Sequence, residues 1–403
     1  MSITLWELID PNPQLRLIPH WNRGCHLSLE SSDLRVVGGE GANNTTILSF
    51  KPMNQAQSQT QLIALDWGTS SLRAYRLGAA GRVLELRSLP WGVMKLPEVV
   101  LPENSGVDVK ASFELAFEEA CGDWIRGAPH APVIAAGMVG SRQGWREAPY
   151  LSLPIAVDRI GSTLSTVHTR GGQIVHIVPG LIENSALPNV MRGEETQVIG
   201  ALSMLDFGKT PSRAEQQNEQ DEILIGLPGT HSKWVQVRIQ HREVQSHIEH
   251  FHTFMTGEVY AALCEHTILG RGMQTSDING DDQAAFDRGI LVPQTPAGRA
   301  GLLSTIFSTR TLGLTGVLDG VGQREYLSGL LIGHEVAALQ TLLAEQRYQP
   351  ARVILIGNAA LCVRYTRALR AYGFDQIEVA GQATERGLWQ LAMAAGLLSY
   401  IQT

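Results

Sequence analysis

Residues 62–71 read Leu-Ile-Ala-Leu-Asp-Trp-Gly-Thr-Ser-Ser, an apolar run followed by small and hydroxyl residues. The first four residues form an apolar run that is typical of a buried strand. The glycine and hydroxyl residues that follow are typical of a tight turn, and residues 72–77 resume as a second strand. The sequence therefore predicts a hairpin whose turn presents an aspartate, a glycine and several hydroxyl groups.

A second copy of this pattern begins at residue 223. Residues 223–225 are apolar, residues 228–232 read Pro-Gly-Thr-His-Ser, and residues 234–239 alternate between apolar and polar. A single Gly-Thr-x-Ser sequence is a weak signal, because it occurs by chance in many proteins. Its recurrence in two matched hairpins indicates two similarly folded domains that face a shared cleft.

The two turns are candidates for binding phosphate groups. Successive backbone N–H groups in a turn can bind an anion, and glycine lets the anion come close to the backbone. Two such turns that face each other would hold a polyphosphate from both sides. The residues predicted to hold it are Gly68, Thr69, Ser70, Gly229, Thr230, His231 and Ser232. Ordinary hairpin chemistry without a ligand is the alternative for each turn.

Asp66 ends the first strand and is the candidate metal ligand. Carboxylates at such places hold Mg²⁺ in phosphoryl-transfer sites, usually with water molecules between. The second copy has Leu227 at the equivalent place, so only the first turn would supply a carboxylate. The alternative is that Asp66 accepts hydrogen bonds from the amides of its own turn.

Composition excludes several classes of protein. The 403 residues carry a net charge of −7, from 39 acidic and 32 basic side chains, which argues against a nucleic-acid-binding protein. No apolar run reaches the roughly 18 residues that a membrane helix needs. Four cysteines lie far apart without a Cys-x-x-Cys pair, so neither a disulfide scaffold nor a zinc ribbon is indicated. We expect a cytoplasmic enzyme with a small-molecule substrate, and a homo-oligomer is compatible with this composition.

Changes in apolar content and periodicity along the chain divide it into four segments. Residues 1–60 contain only short apolar pieces among polar residues and are expected to form a poorly ordered extension. Residues 61–206 form the first predicted domain and residues 223–403 the second. Between them, residues 207–222 are polar and aperiodic and predict a solvated loop. The last helix of the second domain, predicted from about residue 385 to 400, is expected to cross back towards the first.

Residues 65–70 and 227–234 resemble the two phosphate loops of the superfamily that contains sugar kinases, actin and the seventy-kilodalton heat-shock chaperones. Residues 353–358 resemble the strand, glycine and helix that pack against the nucleoside in that superfamily. Within it, the chain from about residue 62 onwards resembles the 2-dehydro-3-deoxygalactonokinase family. The stretches that carry this closer resemblance are residues 136–145, 191–197, 228–234, 255–258 and 326–333.

This resemblance implies an α/β fold in which two ribonuclease-H-like domains, of the actin-like ATPase type, flank a nucleotide cleft. It also implies that the cleft holds ATP and Mg²⁺, with Gly357 beside the adenosine. The implied reaction is ATP-dependent phosphorylation of 2-dehydro-3-deoxy-D-galactonate on its 6-hydroxyl, in galactonate breakdown. Another sugar or sugar-acid kinase, an actin-like nucleotide-dependent protein and a phosphohydrolase of the same fold are the alternatives.

Glu194 and Glu195 are the candidate catalytic bases. Both follow Gly193 at the start of a predicted helix, where related sugar kinases place a Gly-Asp catalytic pair. Glu194 matches the acid of that pair by position and is the preferred base, and Glu195 would brace the helix start. The alternative is that both carboxylates are there because a helix N-terminus favours negative charge.

A sugar acid needs a cationic anchor, and Arg142 is the first candidate. It lies in a glycine-rich loop after a buried strand, where its guanidinium could form two hydrogen bonds to a carboxylate. Arg192 is the second candidate, and Trp145 could form a wall against the sugar. An exposed arginine paired with a nearby acid, and a tryptophan that packs in the core, are the alternatives.

Overall fold

The computed structural model describes residues 35–37, 47–49, 59–99, 109–205, 220–240, 245–274 and 282–398. The chain divides into two compact units, Met1–Gln55 and Ala56–Thr403. In the first unit the described residues form two short strands, β1 (Arg35–Val37) and β2 (Ile47–Ser49), which pair antiparallel. The predicted poorly ordered extension covers residues 1–60. Apart from these two strands and residues 59–60, that segment lies outside the described residues.

The second unit is a mixture of strands and helices. Its strands are β3 (Leu62–Trp67), β4 (Leu72–Leu77), β5 (Val83–Leu89), β6 (Val133–Ala136), β7 (Tyr150–Ser152), β8 (Ile155–Ala156), β9 (Ser165–His168), β10 (Ile174–Ile177), β11 (Gly180–Glu183), β12 (Asn189–Met191), β13 (Gln220–Leu227), β14 (Ser232–Gln240), β15 (Gln245–Phe254), β16 (Arg352–Leu355) and β17 (Ile377–Val379). Its helices are α1 (Val109–Gly127), α2 (Val157–Gly161), α3 (Glu194–Leu202), α4 (Thr256–His266), α5 (Gln283–Leu291), α6 (Leu302–Thr305), α7 (Ser308–Leu314), α8 (Gly320–Glu345), α9 (Ala359–Ala371) and α10 (Ala383–Ala394).

Two six-stranded sheets share one strand pattern. Their strand orders are β5-β4-β3-β6-β10-β9 and β17-β16-β13-β14-β15-β8. In each sheet three consecutive strands pair antiparallel, and a later strand lies parallel to the first of them, as β6 does beside β3 and β16 beside β13. The internal repeat that the sequence indicates is therefore present as a repeated sheet topology.

The second sheet also contains a strand from the first half of the chain. The two-residue strand β8 pairs antiparallel with β15, with Ile155 opposite Ile248. The smaller third sheet has the order β12-β11-β7, and Asn189 at the start of β12 donates a hydrogen bond of 3.2 Å to the carbonyl of Phe251 in β15. A side-chain hydrogen bond therefore links the third sheet to the second, and β8 carries the first half of the chain into the second sheet.

Both predicted hairpins are confirmed, and the element ends need small corrections. β13 starts at Gln220, so the predicted polar loop over residues 207–222 is wrong for its last three residues, and residues 207–219 lie outside the described residues. The strand extends this far because Glu222 lies opposite Arg238 on β14 and accepts a hydrogen bond of 3.2 Å from its guanidinium. The last helix, α10, ends at Ala394, before Gly396 with its positive φ of 69°.

Helix α10 crosses back to the first half of the unit, as the sequence predicts, and packs on α3. The crossing depends on two glycines, one in each helix. A Cβ atom at Gly200 would lie 1.8 Å from the carbonyl oxygen of Ala383, and one at Gly387 would lie 1.8 Å from that of Thr196. The helices therefore touch backbone to backbone, which closes the hydrophobic core that both sheets share.

Helix α8 forms the centre of the second half. By length and composition it could cross a membrane, but 56% of its most apolar 18-residue window is buried inside the protein. Its apolar side chains, including Val336 and Leu339, pack against Trp234 of β14 and Tyr365 of α9. Its apolar character is therefore accounted for by this packing.

Substituting Gly200 tests the helix crossing. We expect Gly200→Ala to lower the free energy of unfolding by about 1–3 kcal/mol, because the added methyl group overlaps the Ala383 carbonyl. The better helix propensity of alanine, worth up to about 1 kcal/mol, does not offset this clash. Denaturant unfolding measures the difference. Gly127→Ala, at the end of α1 with no atom within 4 Å of the added carbon, is the matched control and should not destabilise the protein. Equal stability of the two variants would contradict the close crossing.

Candidate active site

The first turn joins β3 to β4 and is held from behind by a second segment of chain. The amide of Gly68 donates to the carbonyl of Ser71 at 2.9 Å, while the carbonyls of Gly68 and Thr69 accept from the amides of Val93 and Met94. The side chains of Thr69 and Ser70 are exposed. Backbone hydrogen bonds therefore fix one side of the turn, and its hydroxyl groups are exposed on the other; phosphate binding by this turn stays a prediction.

The second turn joins β13 to β14 and lies against the start of α4. Thr230 and His231 are exposed, and the Thr230 carbonyl accepts a hydrogen bond of 3.0 Å from the amide of Glu258. The imidazole Nε2 of His231 pairs with the Glu258 carboxylate. Gly257 allows this contact, since a Cβ atom there would lie 2.4 Å from the Gly229 carbonyl oxygen.

Ser232 differs from its predicted role. Its side chain is fully buried, and its hydroxyl forms a hydrogen bond of 3.0 Å with the Tyr365 hydroxyl. The structure therefore uses this hydroxyl to fix the base of the turn rather than exposing it to a phosphate. The position is buried because it begins a strand with both faces covered, which the sequence pattern of the turn did not reveal.

Glu335 lies beneath the second turn and was not identified from the sequence. It is 3% exposed and accepts hydrogen bonds of 2.7 Å from Trp234 Nε1 and from the Tyr365 hydroxyl. Burial raises the pKa of Glu335, and the hydrogen bonds from its partners oppose that rise. This carboxylate ties β14 to α8 and α9 and so fixes the second turn on the helices behind it.

A cavity of about 470 Å³ opens beside the second turn. It lies between α4, α8 and α9, and its walls include Thr230, Gly257, Tyr260, Leu331, Leu361 and Arg364. Arg364 is held at the wall by Glu325, through contacts of 2.6 and 3.0 Å. Gly357, the predicted adenosine-site residue, is exposed next to Pro228 of the same turn.

Helix α3 starts at the other end of the site with a buried carboxylate. Gly193 has a φ of 108°, a conformation that favours glycine, and its amide donates to both carboxylate oxygens of Glu195 at 2.9 and 2.7 Å. Glu195 is fully buried. Burial raises its pKa to about 8, and the adjacent charge of Glu194 adds to the rise. Glu195 therefore closes the helix start and has no access to solvent.

Glu194 has the opposite environment. Its side chain is 26% exposed, one carboxylate oxygen accepts a hydrogen bond of 3.0 Å from the Arg192 amide, and the other lies 3.3 Å from Lys233 Nζ. Lys233 directly follows the second turn, so this ion pair connects the two halves of the unit. Lys233 was not identified as a site residue from the sequence, because its partner Glu194 lies in a distant segment of the chain.

Asp66 lies close enough to Glu194 for their charges to interact. Burial raises the pKa of Asp66, Arg73 at 3.3 Å opposes the rise, and the negative charge of Glu194 adds to it. Glycine contacts bring these segments together: a Cβ atom at Gly137 would lie 2.8 Å from the Trp67 carbonyl, and one at Gly193 would lie 3.2 Å from the Gly137 Cα. The end of β3 and the start of α3 thus form one site with two carboxylates.

Within the described ranges, no group of three or more histidine, cysteine or acidic side chains is arranged to hold a metal ion. An all-protein metal cage is therefore not present in that part of the chain. Mg²⁺ in nucleotide sites needs less protein, because one or two carboxylates, water and the phosphates of the substrate complete its coordination. Asp66 fits that requirement, since among the described residues only one of its carboxylate oxygens has a side-chain partner.

The two candidate anchors differ in accessibility. Arg142 is exposed and has no side-chain hydrogen bond or ion pair to any residue that the structure describes. Arg192 is 9% exposed, donates a hydrogen bond of 2.8 Å to the Ala148 carbonyl and lies with its guanidinium carbon 4.3 Å from the centre of the Tyr150 ring. Its Nε and Nη1 atoms have no hydrogen-bond partner among the described residues.

Trp145 belongs to an aromatic cluster. Its ring stacks on Phe113 with centroids 5.8 Å apart, and it also contacts Trp67 at 5.8 Å and Phe117 at 5.5 Å. These contacts favour the packing interpretation of Trp145 over the predicted sugar wall. The cluster supports the loop that carries Arg142.

Comparison with known proteins assigns the chain to a class of enzymes. A 2-dehydro-3-deoxygalactonokinase of Escherichia coli (strain K12) is 36% identical over 339 residues, which is 82% of this chain and 97% of that protein. A protein of Rhizobium meliloti (strain 1021) named as a probable 2-dehydro-3-deoxygalactonokinase is 33% identical over 334 residues, 82% of this chain and 96% of its own length. A crystal structure of a Sinorhizobium meliloti protein named for the same kinase superposes with a TM-score of 0.67 at 30% identity, over 83% of this chain and 98% of that one.

All three relatives are named for 2-dehydro-3-deoxygalactonokinase. The chain belongs to the 2-keto-3-deoxy-galactonokinase family, whose model matches residues 66–391. The resemblance that the sequence motifs carry is therefore confirmed.

The burial of Glu195 predicts a specific pH dependence of stability. Its pKa in the folded protein, about 8, exceeds the ordinary value of 4.5, so ionising it costs folding free energy. That cost is absent below the ordinary value, grows as the pH rises towards 8, and stays constant above it. Glu195→Gln keeps an acceptor for the Gly193 amide but cannot ionise.

We therefore expect the melting temperature of the unsubstituted protein to fall more between about pH 6 and about pH 9 than that of Glu195→Gln. Titrating groups that do not interact with Glu195 contribute equally to both proteins, so the difference between the two melting curves reports on Glu195. Glu345→Gln is the matched control, since that glutamate is exposed at the end of α8. Parallel curves for Glu195→Gln and the parent would contradict the raised pKa.

Proposed function

We propose that this chain is an ATP-dependent kinase that phosphorylates 2-dehydro-3-deoxy-D-galactonate on its 6-hydroxyl, in the breakdown of galactonate. The observation that carries the proposal is the position of Glu194. This carboxylate is partly exposed, interacts with the charge of Asp66 beside the first turn, and pairs with Lys233 beside the second. This position supports a site in which a base for a hydroxyl group lies between the two candidate phosphate-binding turns.

The proposed fold is a pair of ribonuclease-H-like domains, of the actin-like ATPase type, that flank a nucleotide cleft. The shared strand order of the two sheets supports this, because each has an antiparallel meander with a parallel strand beside its first strand. The first domain would span residues 61–206 and the second residues 223–403. Strand β8 lies in the first span but joins the second sheet, and helix α10 lies in the second span but packs on α3 of the first. A single boundary in the sequence therefore does not separate the two domains in space.

ATP would lie between the turns with its nucleoside in the cavity of about 470 Å³. Gly68, Thr69 and Ser70 would face the phosphates from the first turn, through exposed hydroxyl groups. Gly229 and Thr230 would face them from the second turn, and His231, oriented by Glu258, would add a donor there. Gly357 would lie beside the adenosine.

Mg²⁺ would be held at Asp66. Burial raises the pKa of Asp66, and repulsion from the neighbouring carboxylate of Glu194 raises it further. A divalent cation bound at Asp66 would relieve that repulsion. When bound, the ion would neutralise charge on the phosphate groups. Asp66 itself would position the ion, and Arg73 would hold one of its oxygens in place.

The chemical step needs a group that accepts the proton of the 6-hydroxyl as the phosphoryl group arrives. Glu194 is available for this task, whereas Glu195 is fully buried and hydrogen-bonded to Gly193. A positioned carboxylate base contributes roughly 10²–10⁴-fold to the rate.

The free cysteines among the described residues, Cys121, Cys264 and Cys362, support placing the enzyme in the reducing cytoplasm.

The test of this function is ATP consumption with and without a panel of sugar acids and aldoses. We expect consumption only with 2-dehydro-3-deoxy-D-galactonate, a fall in kcat of about 10²-fold or more in Glu194→Gln at little changed KM, and wild-type-like kcat in Glu195→Gln within a few-fold. Asp66→Asn should raise the Mg²⁺ concentration that gives half-maximal rate. ATP hydrolysis that no sugar acid stimulates would refute the kinase and favour an actin-like protein or a phosphohydrolase.

Arg142 is proposed as the anchor for the carboxylate of the substrate, because its guanidinium is exposed and unpaired among the described residues whereas that of Arg192 is buried. We expect Arg142→Ala to raise KM for the sugar acid by about tenfold or more, with kcat changed less. Arg142→Lys should recover only part of this loss, since a point charge cannot form two parallel bonds to a carboxylate. An unchanged KM in Arg142→Ala, together with a raised KM in Arg192→Lys, would move the anchor to Arg192.

A further inference from the structure

Lys233 is a buried cation next to the proposed base. It lies near the start of β14, opposite Leu227 of β13 and Thr253 of β15. Its side chain is 6% exposed, and its Nζ atom lies 3.3 Å from Glu194 Oε1 and donates a hydrogen bond of 3.4 Å to the His231 carbonyl. Lysine is almost never buried to this degree without a countercharge, because removing an ammonium from water is costly. Glu194 supplies that charge.

The contacts around Glu194 fix its orientation from two sides. The Arg192 amide binds one carboxylate oxygen at 3.0 Å, and Lys233 binds the other. The first contact comes from the loop that precedes α3, and the second comes from the strand that follows the second turn. The same ammonium that orients the carboxylate therefore also contacts the backbone of that turn, at His231.

We infer that Lys233 is a positioning residue for phosphoryl transfer: its ammonium holds the Glu194 carboxylate in line with the second phosphate-binding turn. The inference rests on the proposed role of Glu194 as the base. In the reaction the 6-oxygen forms a bond to the γ-phosphorus, the bond from that phosphorus to the bridging oxygen breaks, and ADP leaves with the electron pair. The hydroxyl proton goes to Glu194, and Lys233 keeps its own protons throughout.

An ion pair on the protein surface would not hold the Glu194 carboxylate in one orientation. Exposed pairs contribute little, because water screens them and both side chains stay mobile. Here the lysine is buried and its partner is partly buried, so loss of the ammonium would leave Glu194 held on one side only. Misplacement of a reacting group by about 1 Å can cost on the order of 10²-fold in rate.

The experiment is a double-mutant cycle on the full chain with 2-dehydro-3-deoxy-D-galactonate, ATP and Mg²⁺. Lys233→Met should lower kcat by about 10- to 100-fold with KM for both substrates within a few-fold, and Lys233→Arg should restore part of the rate. In Lys233→Met/Glu194→Gln the rate should be no lower than in Glu194→Gln alone, because the lysine acts through that carboxylate. The matched control is Arg238→Met. Arg238 lies further along β14 and pairs with Glu222 of β13, and its removal should leave kcat unchanged.

Several results would overturn the inference. They are unchanged kcat in Lys233→Met, a raised KM for ATP at unchanged kcat, and losses that add in the double variant. Melting curves identify variants that do not fold, and Lys233→Gln, which keeps a donor without the charge, then replaces Lys233→Met. Wild-type kcat in Glu194→Gln would refute the base, and with it this inference, whereas an inactive Glu194→Gln beside a fully active Lys233→Met would refute the role of Lys233 alone.

Discussion

The site depends on the close approach of three chain segments at the end of the first sheet. Gly137 lies against the carbonyl of Trp67 at a distance that leaves no room for a side chain, and Gly193 lies against Gly137 with space for one only under tight contact. These contacts bring Asp66 and Glu194 within reach of each other's charge, although 128 positions separate them in the sequence (194 − 66). Neighbouring cations offset the repulsion between these two carboxylates. Arg73 pairs with Asp66 and Lys233 with Glu194, and the second of these pairs joins the halves of the protein.

Two buried carboxylates support the site from behind. Glu195 closes the start of α3, and Glu335 holds the base of the second turn through Trp234 and Tyr365. Each is surrounded by donors, because an unpaired polar group in the interior costs more than a hydrogen bond gains. The residues exposed in front can therefore be small and polar, and the rigidity of the turns comes from the layer beneath them.

Patterns among neighbouring residues in the sequence predicted much of the fold and part of the candidate site. Both hairpins and the glycines of the turns follow from strand patterning and turn chemistry, which depend on neighbouring residues, whereas the choice of Glu194 over Glu195 came from the resemblance to the Gly-Asp pair of related sugar kinases. Lys233 and Glu335 were missed because their partners lie 39 and 101 positions away (233 − 194, and 335 − 234), and no local pattern encodes such contacts. The contacts that bury Ser232 and Trp145 could not be predicted for the same reason: their partners, Tyr365 and Phe113, come from distant helices. The start of β13 at Gln220 likewise depends on cross-strand pairing with β14.

Strand β8 restricts how the two halves can move against each other. It leaves the first half of the chain, contributes Ile155 and Ala156 to the edge of the second sheet, and is followed directly by α2, on which α10 also packs. Any displacement of the first half against the second sheet would have to break this two-residue ladder or bend the chain beside it, and breaking the ladder exposes backbone hydrogen-bonding groups. Strand β8 therefore couples the two halves through the main chain, in addition to the side chains that pack between them.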